Sequence, residues 1–165
     1  MTRLENKVAL VVGVANTHSI ATGCAQAFAD AGAEIALSQL NEKAKPFVKP
    51  VAEAVGAALL LPLDVETDGR WRPFCRNRRA LGRLDIIVHS IAFCPANDLH
   101  VRVTDCSSAG FARAMDIWVH SLIRMPRLAE PLMTQGGTVL NPASSRRWTR
   151  RRCARWQIGA RSRVG

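Results

Sequence analysis

The chain has 165 residues, 48% of them apolar and 22% charged, a length that holds one domain with one core and a composition that excludes a disordered chain. Its net charge of +10 invites a nucleic-acid-binding reading, but thirteen arginines in two acid-free blocks, residues 70–80 and 144–165, carry that charge, and without them the remainder stands at −3. A groove-reading domain spreads its charge over a face or a recognition helix instead.

The elements alternate along the chain. Val8 to Val14 is a continuous, largely β-branched apolar run, as expected of a strand buried on both faces of a parallel sheet. It is short and lacks a small-residue cleavage site, so it reads as a strand and not as a secretory leader. Ser19 can cap a helix through Ala29 that stops near Gly32. Glu34 to Ser38 is a second strand, and Lys43 to about Val55 a second helix despite Pro50 inside it. Ala57 to Leu63 is a third strand and Leu84 to Ile91 a fourth. Residues 105–134 read as helical, with Pro126 and Pro131 expected to kink or break them. Gly136-Gly137 leads into a fifth strand, Thr138 to Leu140. Strand–helix alternation predicts an α/β fold with a parallel sheet and right-handed crossovers.

Two segments break the pattern. Residues 66–82 should hold the helix between the third and fourth strands, yet Arg70-Trp71-Arg72-Pro73 begins a stretch with no apolar face. After Leu140 the signals stop, and a basic tail, 143–165, is expected to be disordered and to leave the fifth strand as a bare edge. Five cysteines (Cys24, Cys75, Cys94, Cys106, Cys153) without paired spacing predict free thiols in a reducing cytoplasm, and four histidines (His18, His89, His100, His120) form no metal-ligand pattern with them. No apolar run reaches the length of a membrane span.

The turn after the first strand, Gly13-Val14-Ala15-Asn16-Thr17-His18-Ser19-Ile20-Ala21, joins a strand to a helix N-terminus. That arrangement offers unpaired N–H groups and a positive dipole end to a pyrophosphate. It lacks the three-glycine fingerprint, and on spacing alone an ordinary surface turn is an equal reading. Its residues, however, resemble the cofactor loop of the bacterial enoyl-acyl-carrier-protein reductases, a divergent branch of the short-chain dehydrogenase/reductase family. Pro62-Leu63-Asp64-Val65 is similar to that family's adenine-side turn, and Val88-His89-Ser90-Ile91-Ala92-Phe93 to its fourth-strand motif. Ala129-Glu130-Pro131-Leu132-Met133 and Gly136-Gly137-Thr138 resemble its run into the fifth strand. These motifs, in order, cover residues 4–68 and 82–140.

The resemblance implies a Rossmann-type doubly wound parallel sheet of about five strands, incomplete here, with residues 1–142 as a partial dinucleotide-binding domain. It implies that Gly13, Ser19 and Ile20 line the pyrophosphate and ribose, and that Leu40 meets the adenosine ribose. Asp64 and Val65 would flank the adenine, and Ile91 would pack on the cofactor. Gln39 or Asn41 can bond the ribose where an acidic residue is common, and no arginine stands there for a 2′-phosphate, so NADH is expected over NADPH. Cys94 falls where the family's loop meets the acyl thioester and is read as a small packing group. His89 is read as a satisfied core histidine.

The implied reaction is hydride transfer to an enoyl thioester carried on acyl carrier protein, in the cytoplasm, by an enzyme that is usually a homotetramer. The family donates the proton from a tyrosine and holds the nicotinamide ribose with a lysine six residues on. This chain contains no tyrosine, and its last lysine is Lys49, so no catalytic residue carries over. Abrupt loss of pattern in arginine-rich stretches is what GC-rich DNA gives when read out of frame. Frame slips are therefore expected within residues 67–81 and near Leu140. Two other readings stand beside the reductase. One is a catalytically inactive nucleotide-binding remnant. The other is a tail that binds nucleic acid or an anionic membrane through its arginines with Trp148 and Trp156, although no period arranges these on one face.

Overall fold

The computed structural model describes residues 3–66 and 82–142, and residues 161–164 as backbone. The expectations for residues 67–81 and for most of the basic tail lie outside the described residues. Five parallel strands, β1 (Val8–Val12), β2 (Glu34–Gln39), β3 (Leu59–Pro62), β4 (Ile86–His89) and β5 (Gly137–Leu140), stand in the order β3-β2-β1-β4-β5. All five residues of β1 are buried, as its uninterrupted apolar run requires at the centre of a two-sided sheet. Against the expected bounds, β1, β3 and β4 end one or two residues short, while β2 and β5 each run one residue longer. Single backbone bonds still extend the β1–β4 pairing past the ladder, from Asp85 N–H to Val8 (2.9 Å) and from Ser90 N–H to Val12 (2.9 Å).

One face of the sheet is covered by α1 (Ile20–Asp30) and α2 (Lys45–Ala54). Ala21 and Ala25, one turn apart, let α1 lie close to Ala9, Val11 and Ile35, while Val48, Val51 and Ala52 seat α2. Each fully buried valine or isoleucine here contributes roughly 1.5–3 kcal/mol. Pro46 occupies the first turn of α2, where its missing N–H costs nothing. Pro50 is tolerated inside the helix because it lies on the solvent side, where water can satisfy the Pro46 carbonyl.

A short α3 (Ala96–Leu99) and α4 (Ser108–Met115) lead into the segment that covers the opposite face: a five-residue π turn (Asp116–His120), α5 (Ser121–Ala129) and a 3-10 turn (Glu130–Leu132). Ile117, Met125, Ala129 and Leu132 pack on Leu10, Val12, Ile87 and Val139. Pro126 sits inside α5 without ending it; the helix departs from α geometry earlier, at the π turn.

The end of the sheet where the strands begin is fastened by Asp85. Its buried carboxylate accepts from Val8 N–H (3.0 Å), Lys7 Nζ (3.2 Å) and Arg83 Nε (2.9 Å), and its carbonyl accepts from Thr138 N–H (2.9 Å). Burial by itself pushes the Asp85 carboxyl up; Arg83, the Val8 N–H and Lys7 outweigh it and hold the group below the usual carboxylate range.

One expectation is overturned. β5 is not a bare edge: β6 (Arg161–Val164) pairs with it antiparallel, Gly137 opposite Val164 and Leu140 opposite Arg161. A row of unpaired N–H and C=O groups is a template for any extended segment of the same chain within reach.

Candidate functional site

The strand order reverses between β1 and β4, which is where an open α/β sheet leaves a crevice at the carboxyl ends of its strands. Val12 and His89 are the last paired residues of these strands. Gly13 follows at φ +93°, and a Cβ there would overlap the Ser90 carbonyl oxygen. Only glycine both adopts that conformation and lets the turn pass so close to β4. Sequence spacing had left this turn undecided; its geometry is that of a built strand-to-helix crossing.

The turn organises itself around Asn16. Its side-chain oxygen accepts from His18 N–H (2.8 Å), and its carbonyl accepts from the Ser19 hydroxyl (3.0 Å) and the Thr22 hydroxyl (2.7 Å). Ser19 caps α1 as expected, its Oγ accepting from Thr22 N–H (3.3 Å). No acidic residue lies in the first turn of α1, so the positive end of the helix dipole is left uncompensated beside the crevice. The backbone N–H groups of Ile20 and Ala21 have no intrahelical acceptor.

The other expected site residues fall along the same carboxyl edge. Ile20 is 46% exposed and Leu40, just past β2, is 56% exposed, so both side chains face solvent at this edge. Asp64, just past β3, accepts from Glu66 N–H (3.0 Å) and so shapes its own turn. Val65 is 5% exposed and packs in the core, and its carbonyl accepts from Arg124 Nη2 (2.9 Å). Ile91 is half-buried directly after Ser90. Cys94 is exposed and does not pack as expected, because the inward direction of that loop is taken by Phe93.

Arg113 at this edge carried no signal in the sequence, whereas Gln39 and His89 did. Arg113 of α4 binds Glu66 at 2.6 and 3.1 Å and stacks over the Phe93 ring at 5.0 Å, tying the loop after β3 to the loop after β4. Gln39 is buried and donates to Glu42 (3.2 Å), which also pairs with Lys45 (3.1 Å). His89 has 0% exposure, with Nε2 2.7 Å from the Ser121 hydroxyl of α5; burial lowers its pKa to about 4, so the ring is neutral at pH 7. His89 is therefore a core histidine satisfied on one nitrogen, while its Nδ1 has no hydrogen-bond partner among the described residues. Among the described residues, no group of His, Cys, Asp and Glu is arranged to hold a metal ion, and no helix is long and apolar enough to cross a membrane.

The strand order, the crossing at Gly13 and the open end of α1 define a Rossmann-type chain of the short-chain reductase kind. The family model for enoyl-(acyl carrier protein) reductase matches residues 13–152. The enoyl-[acyl-carrier-protein] reductase [NADH] FabI of a Nostoc species is 40% identical over 144 residues, 85% of this chain and 56% of that protein. The Aquifex aeolicus FabI is 41% identical over 133 residues, 79% of this chain and 48% of that protein. The crystal structure of the Anaplasma phagocytophilum enoyl-(acyl-carrier-protein) reductase in complex with NAD superposes with a TM-score of 0.80 at 38% identity, covering 86% of this chain and 55% of that one. The chain belongs to the enoyl-acyl-carrier-protein reductase family, and it spans about half the length of the curated relatives it matches.

Proposed function

We propose that this chain is the cofactor-holding part of an NADH-dependent enoyl-acyl-carrier-protein reductase, acting in fatty acid synthesis in the cytoplasm. One observation carries the reading: the crevice at the strand-order reversal opens beside the uncompensated N-terminus of α1, with Ile20 and Leu40 exposed along its edge. Gly13, Ser19 and Ile20 would line the pyrophosphate and ribose, Leu40 would meet the adenosine ribose, Asp64 and Val65 would flank the adenine, and Ile91 would pack on the cofactor. Cys94 would stand near the acyl thioester. The absence of an arginine after β2 to hold a 2′-phosphate speaks for NADH. When bound, NADH supplies the hydride; these residues bind and orient it. The dinucleotide-binding unit would be residues 1–142, and the whole enzyme would act on acyl carrier protein substrates, as a tetramer where its interface helices are present.

A second reading, a nucleotide-binding chain without catalysis, is favoured by the absence of any tyrosine to protonate the developing enolate. Fluorescence titration with NADH and NADPH, followed by NADH oxidation with an enoyl thioester of acyl carrier protein, separates the outcomes. Saturable NADH binding tighter than NADPH binding supports the cofactor assignment, and the absence of saturable binding overturns it. Turnover by the purified chain supports the reductase, whereas binding without turnover selects the inactive reading. Resequencing the gene from the Asp64 codon onward tests the frame slips: an alternative frame restoring an amphipathic third helix and a Tyr-x6-Lys helix supports them, and a frame that stands as written removes them.

A further inference from the structure

We infer that His89 and Ser121 form a buried positioning pair that fixes the carboxyl end of β4, and through it Ser90 and Ile91, for the nicotinamide half of the dinucleotide. The inference rests on the NADH reading above.

Proton accounting settles the direction of the bond. The Ser121 hydroxyl donates its one hydrogen to the Ile117 carbonyl (2.6 Å), so toward His89 Nε2 (2.7 Å) it can only accept. His89 therefore carries its hydrogen on Nε2, and Nδ1 keeps its lone pair, consistent with its having no hydrogen-bond partner among the described residues. Both side chains have 0% exposure, so water does not compete for the bond.

The π turn is part of the same device. Ser121 N–H donates to Asp116 five residues back, whereas in an unbroken α-helix it would take the Ile117 carbonyl. That carbonyl is thus left to the Ser121 hydroxyl, which in turn faces His89. The wide turn and the hydrogen bond to β4 are one arrangement, and a purely apolar contact could slide along the helix where this one cannot.

The position of the pair ties it to the crevice. His89 is the last paired residue of β4; Ser90, next in the chain, presents the carbonyl against which Gly13 packs, and Ile91 follows. The adenine and its ribose belong to the ends of β2 and β3, away from this pair. Loss of the bond should therefore be felt by one half of the ligand.

The test compares the affinity of the full chain for NADH with that for ADP-ribose, which lacks the nicotinamide. Ser121→Ala and His89→Leu are expected to weaken NADH about tenfold and ADP-ribose distinctly less. His89→Gln, whose amide N–H can stand in for Nε2–H, is expected to restore NADH binding. Equal weakening of both ligands, or no weakening, overturns the inference while leaving the NADH reading intact. A wild-type chain that binds neither ligand overturns both. If Ser121→Ala does not fold, the His89→Leu and His89→Gln pair decides. Imidazole ¹⁵N spectra give a readout independent of binding: a hydrogen on Nε2 is expected, and one on Nδ1 overturns the assignment.

Discussion

On one face of the sheet, α1 and α2 press Ala21, Ala25, Val48 and Val51 onto Ala9, Val11, Ile35 and Leu37, a hydrocarbon contact with the Cys24 thiol at its edge. On the other, a single helical segment interrupted by a π turn lays Ile117, Met125 and Ala129 on Leu10 and Ile87, and places a histidine–serine hydrogen bond among them. The first face needs only volume and periodicity. The second adds direction: a hydrogen bond tolerates little sliding, so helix and strand are held in one register. Both the β4 motif and the loops after β3 and β4 depend on the second face, through His89, Arg113 and Arg124.

Deleting hydrocarbon should hurt the two faces alike. Leu37→Ala on the first and Ile87→Ala on the second are each expected to cost about 3–4 kcal/mol in chemical denaturation, since both side chains are fully buried. A much smaller loss on one face would show that it is loosely packed and would break the comparison. Acid should separate them. His89 titrates near 6.5 when unfolded and near 4 when folded, so its contribution is complete above pH 6.5 and falls away as the pH drops toward 4. The loss is at most about 3 kcal/mol, and His89→Leu should flatten the stability profile over that window. Asp85, held below the usual carboxylate range, adds its own loss only at still lower pH.

Ser19→Ala removes the cap of α1 on the first face and should cost about 1 kcal/mol by thermal denaturation, with weaker dinucleotide binding alongside. The smallest effect concerns the thiols. Cys24 packs at the edge of the first face, and burial pushes its pKa up. Alkylation followed by mass spectrometry should therefore modify exposed Cys94 and Cys106 before Cys24; the reverse order would mean that α1 opens readily.

The first face was the more legible in the sequence. Its strands are continuous apolar runs, its helices repeat small or branched residues each turn, and Ser19 and Gly13 announce a cap and a tight crossing. The second face depends on pairs distant in sequence: His89 with Ser121, Glu66 with Arg113, Val65 with Arg124. No local pattern marks Ser121, and Pro126, the visible irregularity, is not where the helix changes geometry. The exposed Cys94 and the antiparallel β6 were missed for the same reason, because a loop's outward side and an edge partner are both decided by contacts that periodicity does not encode.

Asp85 gathers the starting ends of β1, β4 and β5 at one point, like the spring of a clothes peg. A sheet pinned there breathes by splaying at the opposite end, so the widest fluctuations fall where the strands finish and a ligand must enter. The amides of Val8 and Thr138, both bonded to Asp85, should be among the last to exchange with solvent, and those of the turn from Gly13 to Ser19 among the first. Entry and release would then use the end of the sheet opposite the Asp85 carboxylate.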